Sequence, residues 1–266
     1  MFAPIKSFDL PICYRCAKTH LKRVNREYGI PILPRDGAPD GFVKTIDKED
    51  ISKYVKAGDM VISRKNKWVA EVVLDLAKNG IPIYIEDKEM VGAIKKIIAS
   101  PKISFTMDLH NQLEKTMQTY NKKLIEMISK NNSVQNGESE EERLKEVAVT
   151  AVKIDNINFL LEILKGYLKN HPKNEPISRF SSFVDNLLNT TPSPNCVRLS
   201  SIHKAKGLEA QNVFVLNEAK ICYDFRNSKE QNAQEKNLSY IASTRAKEGL
   251  YLVREPVKEL VPQRYF

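Results

Sequence analysis

Apolar and polar positions in the first part of the chain alternate between strand-like and helix-like patterns. Met60-Val61-Ile62 is a short apolar run, and apolar residues then repeat at helical spacing over Trp68–Lys78. Gly80 follows, where a helix is expected to end. Ile81–Ile85 predicts a second strand, and Met90–Ile98 predicts a second helix. Short strands that alternate with helices indicate a parallel sheet with helices on both faces.

The middle of the chain carries only helical patterns. Apolar residues recur at helical spacing over residues 109–128, 147–168 and 179–188, which predicts three amphipathic helices. The polar stretch 131–138 separates the first two helices and is expected to be an exposed loop. We therefore predict an all-helical insertion over residues 101–195.

The strand and helix alternation resumes after the Pro-rich linker at 190–195. Strand patterns occur over Val197–Ile202, Val213–Leu216 and Leu250–Val253, with a helix pattern over Asn237–Lys247. The predicted fold class is α/β, a parallel sheet interrupted by the helical insertion. The predicted division is a first part of the sheet domain at 1–100, the insertion at 101–195, and a second part at 196–266.

Composition adds charge to this picture. The chain has 266 residues, 42% of them hydrophobic, and a formal net charge of +9. A positive excess favours nucleic acid or an anionic membrane surface as a partner. No apolar run is long enough to cross a bilayer, and the first residues lack a secretory pattern, so we expect a cytoplasmic protein.

The four cysteines are too few for a disulfide framework in a chain of this size. Cys13 and Cys16 have the spacing of half a zinc site, but Cys196 and Cys222 form no second pair with that spacing. Reduced thiols in a cytoplasmic protein are the expected state.

The most informative polar segment follows the strand at 197–202. It carries a hydroxyl, an imidazole, lysines, a glycine and a carboxylate, which are Ser201, His203, Lys204, Lys206, Gly207 and Glu209. Residues just past the carboxyl end of a parallel strand line the ligand crevice. Hydroxyl groups, lysines and backbone N–H groups suit phosphate oxygens, and the carboxylate suits a ribose hydroxyl. The alternative interpretation is an ordinary basic loop with a turn glycine.

A second segment lies on the helix pattern near the end of the chain. Leu238, Ile241, Ala242 and Arg245 are spaced to share one helix face. An arginine at the edge of that face could reach a γ-phosphate and stabilise its transition-state charge. The alternative is a surface arginine on a helix packed against the sheet.

Together, His203–Glu209 and Leu238–Lys247 resemble two motifs of the UvrD/Rep-type DNA helicases of superfamily 1. The resemblance extends to Tyr14-Arg15, to Arg64 at the end of a strand, and to the Gly-Ile-Pro turn at Gly80. It implies a RecA-like sheet with a helical insertion, the second of the two such domains in these enzymes.

The resemblance also implies roles for individual residues. Tyr14 would stack on adenine, and Arg15 and Arg245 would be catalytic, with Arg245 as the arginine finger. The implied nucleotide-binding residues are Tyr14, Arg15, Gly207, Glu209 and Arg245. The implied DNA-binding residues are Arg64, Ser201, His203 and Lys206.

The sequence contains no Gly-x-x-x-x-Gly-Lys-Ser/Thr phosphate loop and no strand that ends in an acidic pair. Such parts hold the phosphates and Mg²⁺ in nucleotide-hydrolysing enzymes. We therefore expect ATP and Mg²⁺ to be bound jointly with a preceding N-terminal RecA-like domain, with no metal site in this chain itself. The chain is expected to be a fragment, a separate domain or a split-gene product, inactive alone.

The function that the resemblance implies is the C-terminal motor domain of an ATP-dependent DNA helicase. It would translocate 3′-to-5′ on single-stranded DNA, in repair or replication, without a membrane partner. The alternative is a non-enzymatic DNA-binding or regulatory module derived from a helicase. A small α/β phosphatase or reductase is disfavoured because the sequence has no nucleophile motif or Gly-rich dinucleotide loop.

Overall fold

A computed structural model describes residues 11–129, 140–218 and 229–255 of the chain. The predicted loop at 131–138 and Cys222 lie outside these residues. Within these ranges, no helix is both long enough and apolar enough to span a membrane.

The described residues form eight strands and, apart from one 3-10 turn at Lys48–Asp50, eight helices. The strands are β1 Ile12–Cys13, β2 Leu33–Pro34, β3 Phe42–Asp47, β4 Met60–Ser63, β5 Ile83–Ile85, β6 Val197–Ser201, β7 Ala210–Leu216 and β8 Ala246–Arg254. The helices are α1 Lys18–Tyr28, α2 Ile51–Tyr54, α3 Asn66–Lys78, α4 Lys88–Ile98, α5 Thr106–Ser129, α6 Glu140–Leu168, α7 Ile177–Leu187 and α8 Lys229–Ser243.

The main sheet has six strands in the order β3-β8-β7-β4-β6-β5, and β1 and β2 form a separate two-stranded pair. The pairs β3–β8, β8–β7, β7–β4 and β6–β5 are all parallel. Helices flank the sheet, so the α/β class with a parallel, RecA-like sheet is confirmed.

The chain divides into two compact units. The sheet unit comprises Met1–Arg64 and Ile202–Phe266, and it contains β3, β8, β7 and β4. The helical unit comprises Lys65–Ser201, and it contains β5, β6 and helices α3 to α7. The predicted three-part division at residues 100 and 195 does not follow these units and stays a prediction about domains.

The core of the sheet unit follows from alternation along its strands. Val213 and Val215 of β7 belong to one apolar cluster with Leu238 and Ala242 of α8. Phe214, between the two valines, points to the other face and stacks on Tyr251 of β8 with ring centroids 4.3 Å apart. Both faces of the central strands are therefore covered, as buried parallel strands require.

The core of the helical unit is formed by α3, α5 and α6. Phe159, Leu160, Ile163 and Leu164 of α6 are fully or nearly fully buried. Gly166 permits a close approach between α6 and α3, because a Cβ there would lie 2.4 Å from Leu74 Cδ1.

The predicted helix over Asn237–Lys247 is wrong at its end. Helix α8 ends at Ser243, and Ala246 already pairs with Ala210 in the sheet. The Thr244 hydroxyl donates to the carbonyls of Tyr240 and Ile241 at 3.0 and 3.1 Å, which satisfies the last turn of the helix. Arg245 therefore lies in the turn between α8 and β8 rather than on a helix face.

A buried carboxylate connects α6 and α7 to the start of α5 in the helical unit. The Tyr167 hydroxyl donates to Glu175 at 2.6 Å, and Arg179 donates to the same carboxylate at 3.2 Å. The backbone N–H of Glu175 donates to the Thr106 hydroxyl at 3.0 Å. The hydrogen bond from Tyr167, and then the hydrogen bond from Arg179, hold the pKa of Glu175 below its usual value.

We expect Glu175→Gln to lower the urea midpoint of the chain at pH 7. Since the folded pKa of Glu175 is depressed, its stabilising effect is present above the usual carboxyl pKa and is lost as pH falls through the lower folded value. Urea unfolding of both proteins between pH 7 and pH 3 measures the difference, which should close in acid. A pH-independent difference would show that the charge of Glu175 is not what stabilises the unit. Asp185→Asn, at an exposed ion pair with Lys95, is the matched control.

Candidate functional site

The loop from β1 to α1 presents two of the predicted site residues. Tyr14 is 75% exposed, so its ring is available to a flat ligand. Arg15 follows in the same bend, and Ala17 is the N-cap of α1.

A three-residue ion network joins this loop to two distant segments. Arg15 Nε donates to Glu209 Oε2 at 2.7 Å, and Lys247 Nζ lies 2.5 Å from Glu209 Oε1. The hydrogen bond from Lys247 is the main cause of the lowered pKa of Glu209, and that from Arg15 adds to it. Glu209 is therefore ionised at neutral pH and holds both cations in place.

Arg245 is largely buried beside this network. Its guanidinium donates to the carbonyl of Ile241 at 3.0 Å, to the carbonyl of Leu208 at 3.3 Å and to the Thr244 hydroxyl at 3.0 Å. Burial first, and then the positive charge of Arg15, lower the pKa of Arg245. An arginine stays protonated in spite of such a shift. Arg15 and Arg245 therefore repel each other, Glu209 offsets this only in part, and a further anion would stabilise both cations.

Gly207 lies one residue before Leu208 and has a φ of +82°, in the left-handed region. A Cβ at this position would meet no atom within 4 Å. The glycine is therefore required by its backbone conformation, and the space beside it is open.

The predicted DNA-binding residues of the sheet unit form a second group. Arg64 Nη2 and Nε donate to the two oxygens of Glu235 at 2.8 and 3.0 Å, a bidentate pair. Loss of hydration, with the nearby charges of Arg64 and Lys206, lowers the pKa of His203, whereas Glu235 opposes the shift. A neutral imidazole at pH 7 follows, beside two cations.

Ser201 is the last residue of β6 and belongs to the helical unit, where it is half-buried. The structure thus brings together Arg15, Glu209 and Arg245 in one group, with Gly207 on the adjoining turn. It brings together Arg64, His203 and Lys206 in another.

Two members of these groups had no predicted role. Lys247 lies inside the second sequence motif, and a role could have been considered because two cations on one carboxylate is a common arrangement. Glu235 lies three residues before that motif and contacts an arginine 171 positions away, so no local pattern could have found it.

A parallel sheet with cationic and glycine turns at its strand ends defines a domain suited to phosphate-bearing ligands. Residues 33–255 match the model of the UvrD-like helicase C-terminal domain. The chain belongs to this family. It is similar to the RecBCD enzyme subunit RecB of Borreliella burgdorferi, with 23% identity over 94% of this chain and 25% of that protein. The chain thus spans about a quarter of the length of this curated relative.

Proposed function

We propose that this chain is the C-terminal motor domain of an ATP-dependent DNA helicase. It would bind ATP and Mg²⁺ jointly with an N-terminal RecA-like domain and translocate 3′-to-5′ on single-stranded DNA. The observation that carries the proposal is that three distant segments bring Arg15, Glu209 and Arg245 together. Two arginines beside one carboxylate leave a net positive charge that suits a phosphate. Family membership supports it independently.

The geometry suggests how a nucleotide would be held. The exposed ring of Tyr14 would stack on adenine, and Arg15 and Arg245 would face the γ-phosphate. Since Glu209 already neutralises Arg15, an incoming phosphate would compete with that carboxylate, which Lys247 could still retain. The oxygen Oε2 of Glu209, which Arg15 would release, could then accept a hydrogen bond from the ribose.

Mg²⁺ would be held by the partner domain. Among the described residues, no group of three or more His, Cys, Asp or Glu side chains is arranged to bind a metal ion. The role of this chain in catalysis would be electrostatic, through its two arginines, because the sequence contains no phosphate loop.

Single-stranded DNA would be bound by Arg64, His203 and Lys206, with Ser201 as a further backbone contact. Arg64 is only about one-third exposed and is held by Glu235. A DNA phosphate would therefore have to displace Glu235 or share the guanidinium with it, which limits affinity.

We expect Glu235→Gln to tighten binding of single-stranded DNA several-fold and Arg64→Ala to weaken it. The amide removes a competing negative charge, whereas the alanine removes about one phosphate contact and should reduce the salt slope by about one. Fluorescence anisotropy of a labelled oligothymidine at several salt concentrations measures both effects.

Arg254→Ala serves as the matched arginine control, since Arg254 pairs with Asp47 on an exposed surface of β8 and β3. It should lower the salt slope less than Arg64→Ala. Equal effects of the two substitutions would show that Arg64 has no special part in DNA binding. Unchanged affinity in Glu235→Gln would show that the carboxylate does not compete.

A further inference from the structure

Two thiols flank the Tyr14-Arg15 pair in the sequence Cys13-Tyr14-Arg15-Cys16. Cys13 ends β1 and is partly exposed, whereas Cys16 is only 2% exposed. The backbone N–H of Cys16 donates to Cys13 Sγ at 3.5 Å, and the two thiols also interact with each other. Both sulfur atoms therefore lie on the same side of one short loop.

The buried thiol reaches a second part of the candidate site. Cys16 Sγ donates to the backbone carbonyl of Thr244 at 3.4 Å. Thr244 directly precedes Arg245, whose guanidinium donates to the Thr244 hydroxyl. Cys16 thus directly follows Arg15 in the chain and is hydrogen-bonded to the residue before Arg245.

We propose that Cys13 and Cys16 are a redox modification site, forming a reversible disulfide that regulates nucleotide binding. The regulatory effect rests on the proposed function, whereas the disulfide itself does not. Cys-x-x-Cys pairs next to a helix start are a common setting for thiol–disulfide exchange. The oxidant in the proposed reaction is a small-molecule disulfide such as glutathione disulfide.

The reaction balances as two consecutive exchanges. Cys13, the accessible thiol, attacks glutathione disulfide as its thiolate, forms a mixed disulfide and releases one glutathione. Cys16 then attacks the Cys13 sulfur, loses its proton and releases the second glutathione. Two protein thiols are oxidised and one glutathione disulfide is reduced to two thiols.

The order of attack follows from the environment of each thiol. Burial, with the neighbouring Cys13, raises the pKa of Cys16 to about 12, so Cys16 is a poor first nucleophile. Cys13 is therefore the entry point and Cys16 the resolving thiol.

The disulfide would change the candidate site in two ways. It closes a small ring around Tyr14 and Arg15, which restricts the bend that presents them. It also consumes the S–H group that donates to Thr244, leaving that carbonyl without its thiol partner. Both changes should disfavour the arrangement of Arg15 and Arg245 that receives phosphate.

The experiment uses the full 266-residue chain with Cys196→Ser and Cys222→Ser, which leaves only the two loop cysteines. The protein is equilibrated with excess glutathione disulfide, quenched in acid, alkylated with N-ethylmaleimide and weighed as an intact protein. We expect the loss of two hydrogen atoms, no alkylation and no retained glutathione, all reversed by dithiothreitol. Two alkylated thiols, or a stable glutathione adduct, would overturn the proposal.

Two control proteins, each with one of the two loop cysteines replaced, test which thiol reacts first and which one resolves the mixed disulfide. Adding Cys13→Ser should leave Cys16 unmodified, and adding Cys16→Ala should stop the reaction at a glutathione adduct on Cys13. An internal disulfide cannot form in either, so a loss of both hydrogens in these proteins would point to an unrelated oxidation and contradict the assignment.

Binding of a fluorescent ATP analogue to the oxidised and reduced forms, each paired with an ATP-binding RecA-like domain, separates the two proposals. We expect affinity to be lower in the oxidised form on the order of fivefold, the typical worth of one hydrogen bond. Equal, measurable binding in both forms would overturn the regulatory role while sparing the nucleotide site. A disulfide without binding in either form would contradict the proposed function and the regulation, leaving the modification site standing.

Discussion

Arg245→Ala is expected to lower ATP turnover by about 10³-fold or more if the chain, paired with an ATP-binding RecA-like domain, uses Arg245 as the proposed arginine finger. Nucleotide binding should be much less affected, because Tyr14 and Arg15 remain. A coupled ATPase assay with and without single-stranded DNA measures turnover, and a fluorescent ATP analogue measures binding.

The hydrogen bonds of Arg245 also give it a structural role, which the experiment must separate from the proposed catalytic role. Its guanidinium spans Ile241, Leu208 and Thr244, so truncation also removes hydrogen bonds that connect α8 to the turn before β7. Arg245→Lys keeps the charge but cannot make this set of bonds, because an ammonium group lacks the planar fork. Loss of turnover in the lysine variant, with unchanged unfolding midpoint, would assign the effect to chemistry.

The control for a generic loss of positive charge is Arg254→Ala at the exposed end of β8, which should turn over ATP at the parental rate. Undiminished turnover in Arg245→Ala would eliminate the arginine-finger role. If the parental pair of domains shows no ATP turnover at all, the non-enzymatic DNA-binding alternative gains, and oligonucleotide binding becomes the activity to follow.

The strands and helices that pattern predicted correctly are those with strong internal periodicity. Helix α3 and strand β4 form at the positions that the spacing of apolar residues predicts, because both bury a continuous apolar surface. Strand β3 was not predicted, since it is an edge strand whose Lys44 and Thr45 are exposed and break the apolar run. Its pairing with β8 depends on residues about 200 positions away, which no local window contains.

In the candidate site, too, features set by neighbouring residues could be predicted from the sequence, whereas contacts between distant segments could not. The motif around Gly207 could be predicted because a strand, a turn and charged residues are adjacent in sequence. The position of Arg245 was wrong in detail, because Thr244 hydroxyl bonds and pairing of Ala246 end the helix early. The partners of Arg15 and Arg64 are set by the fold, so sequence could name the arginines but not the carboxylates that hold them.

Gly41 offers the largest expected effect on stability, and it lies against Ala17, two residues after Arg15. It precedes β3 with a φ of +62°. A Cβ there would lie 2.3 Å from the Cβ of Ala17 and 2.7 Å from the carbonyl oxygen of Glu248. The start of α1 is also bonded to this residue, because the Thr19 hydroxyl donates to the carbonyl of Gly41 at 3.3 Å.

Gly41→Ala should therefore lower the free energy of unfolding by roughly 2 to 5 kcal/mol. About 1 to 2 kcal/mol of this comes from the left-handed backbone, and about 1 to 3 kcal/mol from forcing atoms apart in a packed site. The neighbours cannot move cheaply, because one is the N-cap of α1 and the other is backbone of β8.

Gly29→Ala is the matched control, because Gly29 has a φ of +69° but a Cβ there would meet nothing within 4 Å. It should cost only the backbone part, about 1 to 2 kcal/mol. Urea unfolding followed by far-ultraviolet circular dichroism gives both values. Equal losses in the two variants would mean that the contact with Ala17 and Glu248 relaxes freely. A larger loss in Gly41→Ala would instead establish that α1, and with it the loop of Tyr14 and Arg15, is held against the sheet by a position that accepts no side chain.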